Sequence, residues 1–159
     1  MILAFLWACA GGGGAPVDDW SGDWDGALDP SNVDGDPWPF RLIDVTDDRF
    51  EVDPDAPAGV REWRGIVEFQ MDDDHVVLPF QLLTCESGDG CDFGSDNLGL
   101  HGYSLIADSS VSTVTSLGAI DGDSIDGDVS WFRPGRPILG HLTLTRADGD
   151  LQVGDLPGM

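Results

Sequence analysis

The chain contains no lysine. All seven of its basic residues are arginines, set against 30 Asp and Glu, for a formal net charge of −23. So acidic a protein repels phosphate and anionic lipid headgroups, which argues against nucleic acid as a partner. Without lysine there is no Gly-x-x-x-x-Gly-Lys loop to cradle a phosphate. The chain also lacks a Gly-x-Ser-x-Gly nucleophile elbow and a Cys-x-x-Cys redox pair. It shows no convincing amphipathic helical periodicity and no repeat of the propeller or solenoid kind. No run is long and apolar enough to cross a bilayer as a helix. Paired carboxylates abound, but 30 acids pair by chance in 159 residues. These absences point to a protein that is not an enzyme, with a hydrolase as the lesser alternative.

What is present points to one folded domain. A chain of 159 residues, 41% of them hydrophobic, has enough apolar material for a real core. Its 22 glycines and 10 prolines are dispersed, which suits many short turns. The surplus of acid reads either as cation binding or as the solvated, aggregation-resistant surface of an exported protein.

Residues 1–8 are apolar and uncharged, and they run into Leu6-Trp7-Ala8-Cys9 and then the glycines 11–14. This arrangement resembles the lipobox of bacterial lipoproteins. The resemblance implies that 1–8 is a signal-peptide remnant and that Cys9 is lipidated and becomes the mature N-terminus. Residues 9–19 would then tether the protein to a membrane in the cell envelope of a bacterium, periplasmic or surface-exposed. With Cys9 set aside, Cys85 and Cys91 are an even pair in an exported domain, and one disulfide is expected. Two cysteines supply only half a zinc shell.

Beyond the tether the pattern is one of alternation. From Trp20 to Leu28 the even positions are Trp20, Gly22, Trp24, Gly26 and Leu28, while Asp23 and Asp25 lie on the other face. Such a two-residue period predicts a half-buried strand. Further strands are expected at Phe40–Thr46, Arg49–Val52, Trp63–Met71, His75–Thr84, Gly99–Ala107, Val111–Ile120, Ser124–Phe132 and Pro137–Arg146. A short extra strand at Leu151–Val153 is a further candidate. Asp72-Asp73-Asp74, Asp121-Gly122 and Pro134-Gly135 mark hairpin turns. Pro79 cannot donate to a ladder and marks an edge or bulge in its strand. About eight regularly spaced strands without helices predict an all-β fold, a single antiparallel up-and-down barrel, with a sandwich as the alternative. The barrel would span 20–146, followed by an acidic tail, 147–159.

Gly22-Asp23-Trp24 on the first strand and Arg146 at the end of the last one resemble the signature of the calycins, the lipocalins and their relatives. That resemblance implies barrel closure by Gly22, Trp24 and Arg146, with the guanidinium over the indole face. It also suggests a small apolar ligand inside, and the inward aromatics Trp63, Phe69, Phe80 and Trp131 are the candidates to line its site.

Asn32, Asp34 and Asp36 put hard oxygens beside Gly35 and form a weak calcium candidate, though the full loop spacing is missing. Asp121, Asp123, Asp126 and Asp128 form a second. No other cofactor is expected. By strand parity His75 and His141 face solvent on separate hairpins, so a histidine metal site is not expected. The function expected is a lipid-anchored envelope protein acting as a non-enzymatic interaction or scaffold module, with an unknown protein or polymer as partner. Trp38 and Phe40, beside a proline-rich loop, are candidate exposed contacts. The alternatives are a calycin-like carrier and a hydrolase.

Overall fold

The computed structural model describes residues 19–47, 59–93 and 96–157. The lipobox, the glycine tether and the expected strand at Arg49–Val52 lie outside the described residues. Among the described residues there are ten strands: β1 Gly22–Pro30, β2 Trp38–Asp47, β3 Val60–Met71, β4 Asp74–Cys85, β5 Cys91–Phe93, β6 Asp96–Leu98, β7 Gly102–Asp108, β8 Thr113–Asp121, β9 Ser124–Phe132 and β10 Ile138–Arg146. Eight of them close into an antiparallel up-and-down barrel in the order β1-β10-β9-β8-β7-β4-β3-β2. The small β5–β6 hairpin interrupts the meander between β4 and β7.

The alternation of the sequence becomes the two faces of the wall. Trp24, Leu28, Phe40, Leu42, Trp63, Val67, Phe69, Phe80, Leu105, Ile125, Leu142 and Leu144 are all buried in one core. Each fully buried apolar side chain contributes roughly 2–3 kcal/mol. Outward positions carry Glu62, Arg64, Gln81, Asp126, Asp128 and Thr143. Ile106, Leu117, Phe132 and Leu139 interrupt this polar face as exposed apolar side chains.

One end of the barrel, the closed end, takes the chain in. It carries the end of β2, the start of β3, the β5–β6 pair, His101 and the Asp121–Ser124 tip. The other end, the mouth, carries the 31–37 loop and the tips at 72–73, 109–112 and 133–137. Cys85 and Cys91 are disulfide-bonded, and with Leu98 and the flanking Val60 they form a small second core at the closed end.

Four expectations are corrected. The first strand begins at Gly22, whose φ of 106° belongs to a bulge between Gly22 and Trp24 in the pairing with β2. Glycine tolerates that conformation at no steric cost, which gives the Gly-x-Trp spacing a backbone reason. Trp38 and Phe40 are not exposed contacts; both are buried core residues of β2. The strand expected from Gly99 starts at Gly102, because His101, at φ 62°, sits in a turn that the extended pattern does not tolerate. No strand forms at Leu151–Val153.

The tail is instead a strap. From Ala147 to Pro157 it runs along the outside of β1, β2 and β3, from the closed end toward the mouth. Ala147 N–H donates to the Asp23 carbonyl at 2.9 Å, and Leu151 N–H donates to the Asp23 carboxylate. Arg41 Nη1 donates to the Asp155 carbonyl at 2.9 Å, and Gly154 N–H donates to the Glu68 carboxylate. Leu156 is buried, as are the outward-facing Asp23, Arg41 and Glu68 on the wall beneath. Parity placed Asp23 on the outer face correctly, yet the strap keeps it from water.

Candidate functional site

At the closed end the two ends of the barrel sequence meet. Trp24 pairs with Arg146 in the β1–β10 ladder. Arg146 carries its guanidinium 4.5 Å from the centre of the Trp24 ring. Its Nε donates to Asp123 Oδ1 at 2.8 Å, Nη1 to the Ser21 carbonyl at 2.7 Å and Nη2 to the Asp19 carbonyl at 2.9 Å. Trp24 Nε1 donates to the Trp20 carbonyl at 3.0 Å. Hydrogen bonds from Ser21 hold the Asp19 carboxyl below its usual range. Gly22, Trp24 and Arg146 are thus brought together at the point where the chain enters. A second arginine does the same next door: Arg61 lies 4.1 Å over Trp63 and is paired with Asp47 and Glu86.

Inside the barrel, the four candidate ligand-binding aromatics Trp63, Phe69, Phe80 and Trp131 are all buried. Phe69 stacks on Phe40 at 5.3 Å and meets Trp131 edge-on at 4.9 Å. β3 and β9 lie diametrically opposite in the strand order, so this edge contact spans the barrel. At that level the two walls touch through their side chains. Trp63 Nε1 donates to Thr84 Oγ1 at 3.1 Å, and the ring of Phe80 lies over Gly65, within 2.8 Å of where a Cβ would stand. Tyr103 spans β7 to β8, with its hydroxyl 2.8 Å from Ser116 Oγ. Burial pushes that phenol up to about 12.

The mouth holds a recess of about 390 Å³, lined among others by Val33, Trp38, Met71, Arg133 and Ile138. Val33 packs down onto the core from the 31–37 loop. Asn32 latches that loop: its Oδ1 accepts from Leu139 N–H at 2.8 Å, and its Nδ2 donates to the Pro137 carbonyl at 2.8 Å. Both polar atoms of Asn32 are therefore engaged with backbone. Asp34 and Asp36, the other calcium candidates, are exposed on the loop. Among the described residues no group of three or more His, Cys, Asp and Glu is arranged to hold a metal ion.

His75 and His141 are on the outside, while His101 at the closed end meets Trp20 edge-on at 6.2 Å. His141 lies between Asp126, 3.0 Å from Nε2, and Asp128, 3.3 Å from Nδ1, on the outer wall of β9 and β10. The bond to Asp126 and then that to Asp128 raise its pKa. These aspartates and Asp123 belonged to the second calcium candidate; they serve His141 and Arg146 instead. His75 Nε2 is 2.8 Å from Glu68 Oε1, at the edge of the strap. Among the described residues no serine hydroxyl is hydrogen-bonded to His75 or His141.

Three working parts escaped the sequence reading. The strap contacts of Asp23, Arg41 and Glu68 have no local signal beyond Leu151 and Leu156, two apolar residues in an acidic tail. Asn32 read as a calcium candidate and Val33 as loop, and neither as a latch on the mouth. Arg133, 4.6 Å over Trp131 and bonded to Asp74 at 3.1 Å, read as a turn residue. No family model, curated protein or solved structure matches this chain.

Proposed function

We propose that the protein is an exported, lipid-anchored envelope protein whose barrel is a rigid, non-enzymatic module for contact with another macromolecule. The observation that carries this reading is the contact between Phe69 and Trp131 across the barrel. Aromatic rings from opposite walls occupy the axis, so recognition falls to the outer wall and the rim. Lipidation at Cys9, with the glycine tether behind it, holds the barrel near a membrane without a spanning helix. The closed end then faces the membrane and the mouth faces away.

Titration with 1-anilinonaphthalene-8-sulfonate tests the module. Only weak, non-saturating fluorescence is expected; saturable binding that quenches tryptophan emission would give the carrier reading the better case. Intact-mass analysis of the protein from bacterial membranes tests the anchor. A diacylglyceryl mass on Cys9 is expected, and an unmodified N-terminus elsewhere removes the anchor. A second reading, a carrier of a small apolar ligand, draws support from the recess at the mouth, where Val33, Trp38, Met71 and Ile138 offer apolar surface.

A further inference from the structure

One seam of the barrel is half made. β4 runs from Asp74 to Cys85 and pairs with β3 over its whole length, from Met71↔Asp74 to Val60↔Cys85. On its other side it pairs with β7 only from Phe80 to Thr84. In an antiparallel ladder, alternate residues turn their N–H and C=O to opposite neighbours. The two-residue tip makes Met71 and Asp74 the closing hydrogen-bonded pair. Val76 and Leu78 therefore bond to β3, while His75 and Val77 face the side that β7 does not reach; Pro79, the next in that series, already stands at the end of the β7 ladder, its carbonyl opposite Asp108. Among the described residues His75 and Val77 have no backbone partner there.

The β7–β8 hairpin ends beneath this edge, at Ser109–Ser112, and the next wall is the end of β9. The result is a groove of about 510 Å³, lined by Val76, Val77, Val111, Trp131 and Arg133 among others. Val77 and Val111 are 41% and 68% exposed.

We propose that this edge docks an extended, basic segment of a partner protein, which adds to β4 as a short strand along His75 to Leu78. The inference rests on the interaction-module reading and names its surface and the chemistry of its partner. Unpaired groups that recur every second residue, about 7 Å apart, match an extended backbone and nothing more compact. Pro79, with a carbonyl but no N–H, ends the site. Val77 and Val111 offer apolar ground to side chains of the added strand. Charge selects the partner: Asp72, Asp73 and Asp74 crowd one end of the edge, and Asp108 lies on the β7 side. A second copy would bring another net charge of −23 to the same edge, whereas a basic segment meets it with opposite sign. An arginine of the partner takes the place of Arg133 on the exposed Asp74, and Arg133 stays on Trp131.

The test is nuclear magnetic resonance of the labelled full chain with the synthetic peptide acetyl-Arg-Val-Arg-Val-Thr-Val-Arg-amide. In the free protein the amides of His75 and Val77 should exchange fast and those of Gln81 and Leu83 slowly. On titration, His75 to Pro79 and Val111 should shift, and the first two amides should become protected. Val77→Pro removes one donor from the open edge without touching the β3 ladder, as Pro79 already does two residues on. It should weaken binding at least tenfold, and so should a peptide N-methylated at alternate residues. Failure to bind at millimolar peptide, or unchanged affinity with Val77→Pro and the methylated peptide, overturns the proposal. Shifts confined to the mouth or the Asp126–Asp128 wall overturn the edge site but leave the interaction module standing. A saturable apolar dye in the barrel removes the module reading instead.

Discussion

Two seams of this barrel solve the same problem differently. The β1–β10 seam joins the ends of the barrel sequence and is paired from Trp24↔Arg146 to Pro30↔Gly140. It is locked at both ends by side chains, Arg146 at the closed end and Asn32 at the mouth. The β4–β7 seam is paired only from Phe80 to Thr84, and the Cys85–Cys91 disulfide stands just beyond that short ladder. Toward the mouth, among the described residues, the ion pair of Asp74 with Arg133 bridges it. The contrast teaches where the barrel is rigid and where it is open. Loop closure is costly across a seam between distant parts of the chain, so clamps are concentrated there. The half seam is left to a covalent pin and an exposed charge pair.

The strongest way to break the contrast is to damage the better seam. A Cβ on Gly26 would run into the Thr143 carbonyl and stand 2.9 Å from Leu144 Cα, both backbone. Backbone on the partner strand cannot swing aside, so Gly26→Ala is expected to cost more than about 3 kcal/mol and open the barrel at β1–β10. Loss of near-ultraviolet circular dichroism from the buried tryptophans is the readout. Arg146→Ala removes the cation over Trp24 and leaves the Ser21 and Asp19 carbonyls without their donor. About 3 kcal/mol of stability should go, measured by chemical denaturation, with only partial rescue by Arg146→Lys.

Tyr103 tests the wall between the seams. It is the one tyrosine of the chain, so absorbance near 295 nm reports its ionisation alone. Its folded pKa of about 12 lies above the ordinary 10. A raised pKa stabilises the fold fully below about pH 10, and that contribution is lost as pH climbs through about 12. The linkage amounts to at most about 3 kcal/mol. Phenolate should therefore appear together with unfolding, not ahead of it. At the half seam the disulfide is the thing to cut. Cys85→Ser with Cys91→Ser reopens a short loop and is expected to cost about 2 kcal/mol. Amide exchange should accelerate first at Gln81 and Leu83. If exchange rises equally at β1–β10, the two seams are not independent.

Most of the fold was legible in the sequence, for a physical reason. Side chains in a strand alternate with a fixed period, so Trp24, Leu28, Phe69, Phe80, Ile125 and Leu142 announced their face before any contact was known. Tight tips such as Asp121-Gly122 set the hairpin order. The closure of Trp24 by Arg146 was legible through the resemblance to the calycin signature, with which strand parity agrees. What was not legible depends on distance across the molecule. The contact across the interior is a property of barrel radius: Phe69 and Trp131 belong to opposite walls, and nothing local says that they meet. The strap has no period at all. Its capture of Arg41 and Glu68 is visible only once β2 and β3 are side by side. The half seam follows from the length of β7, and Pro79 was its one local sign.

The smallest effect expected is on the fully paired side, at His141, and it sharpens the comparison because it separates pairing from charge. β10 pairs along nearly all its length with both neighbours, so its outer face needs no electrostatic support to stay in register. Yet His141 sits between Asp126 and Asp128, whose hydrogen bonds raise its pKa above the ordinary 6.5. The protonated ring is the stabilised form. Its contribution is therefore complete below about pH 6.5 and fades as pH rises through the raised folded midpoint. The side chain is nearly half exposed and both carboxylates are more so, and water and salt screen such groups. The stability change should therefore be slight, and a titration of the His141 ring protons by nuclear magnetic resonance is the better readout. Asp126→Asn should lower the midpoint more than Asp128→Asn, since its contact is the shorter. The double variant should return the midpoint to the ordinary range without changing the amide exchange of β10. If exchange along β10 quickens in that variant, charge and not pairing holds this wall, and the contrast between the two seams is weaker than their ladders suggest.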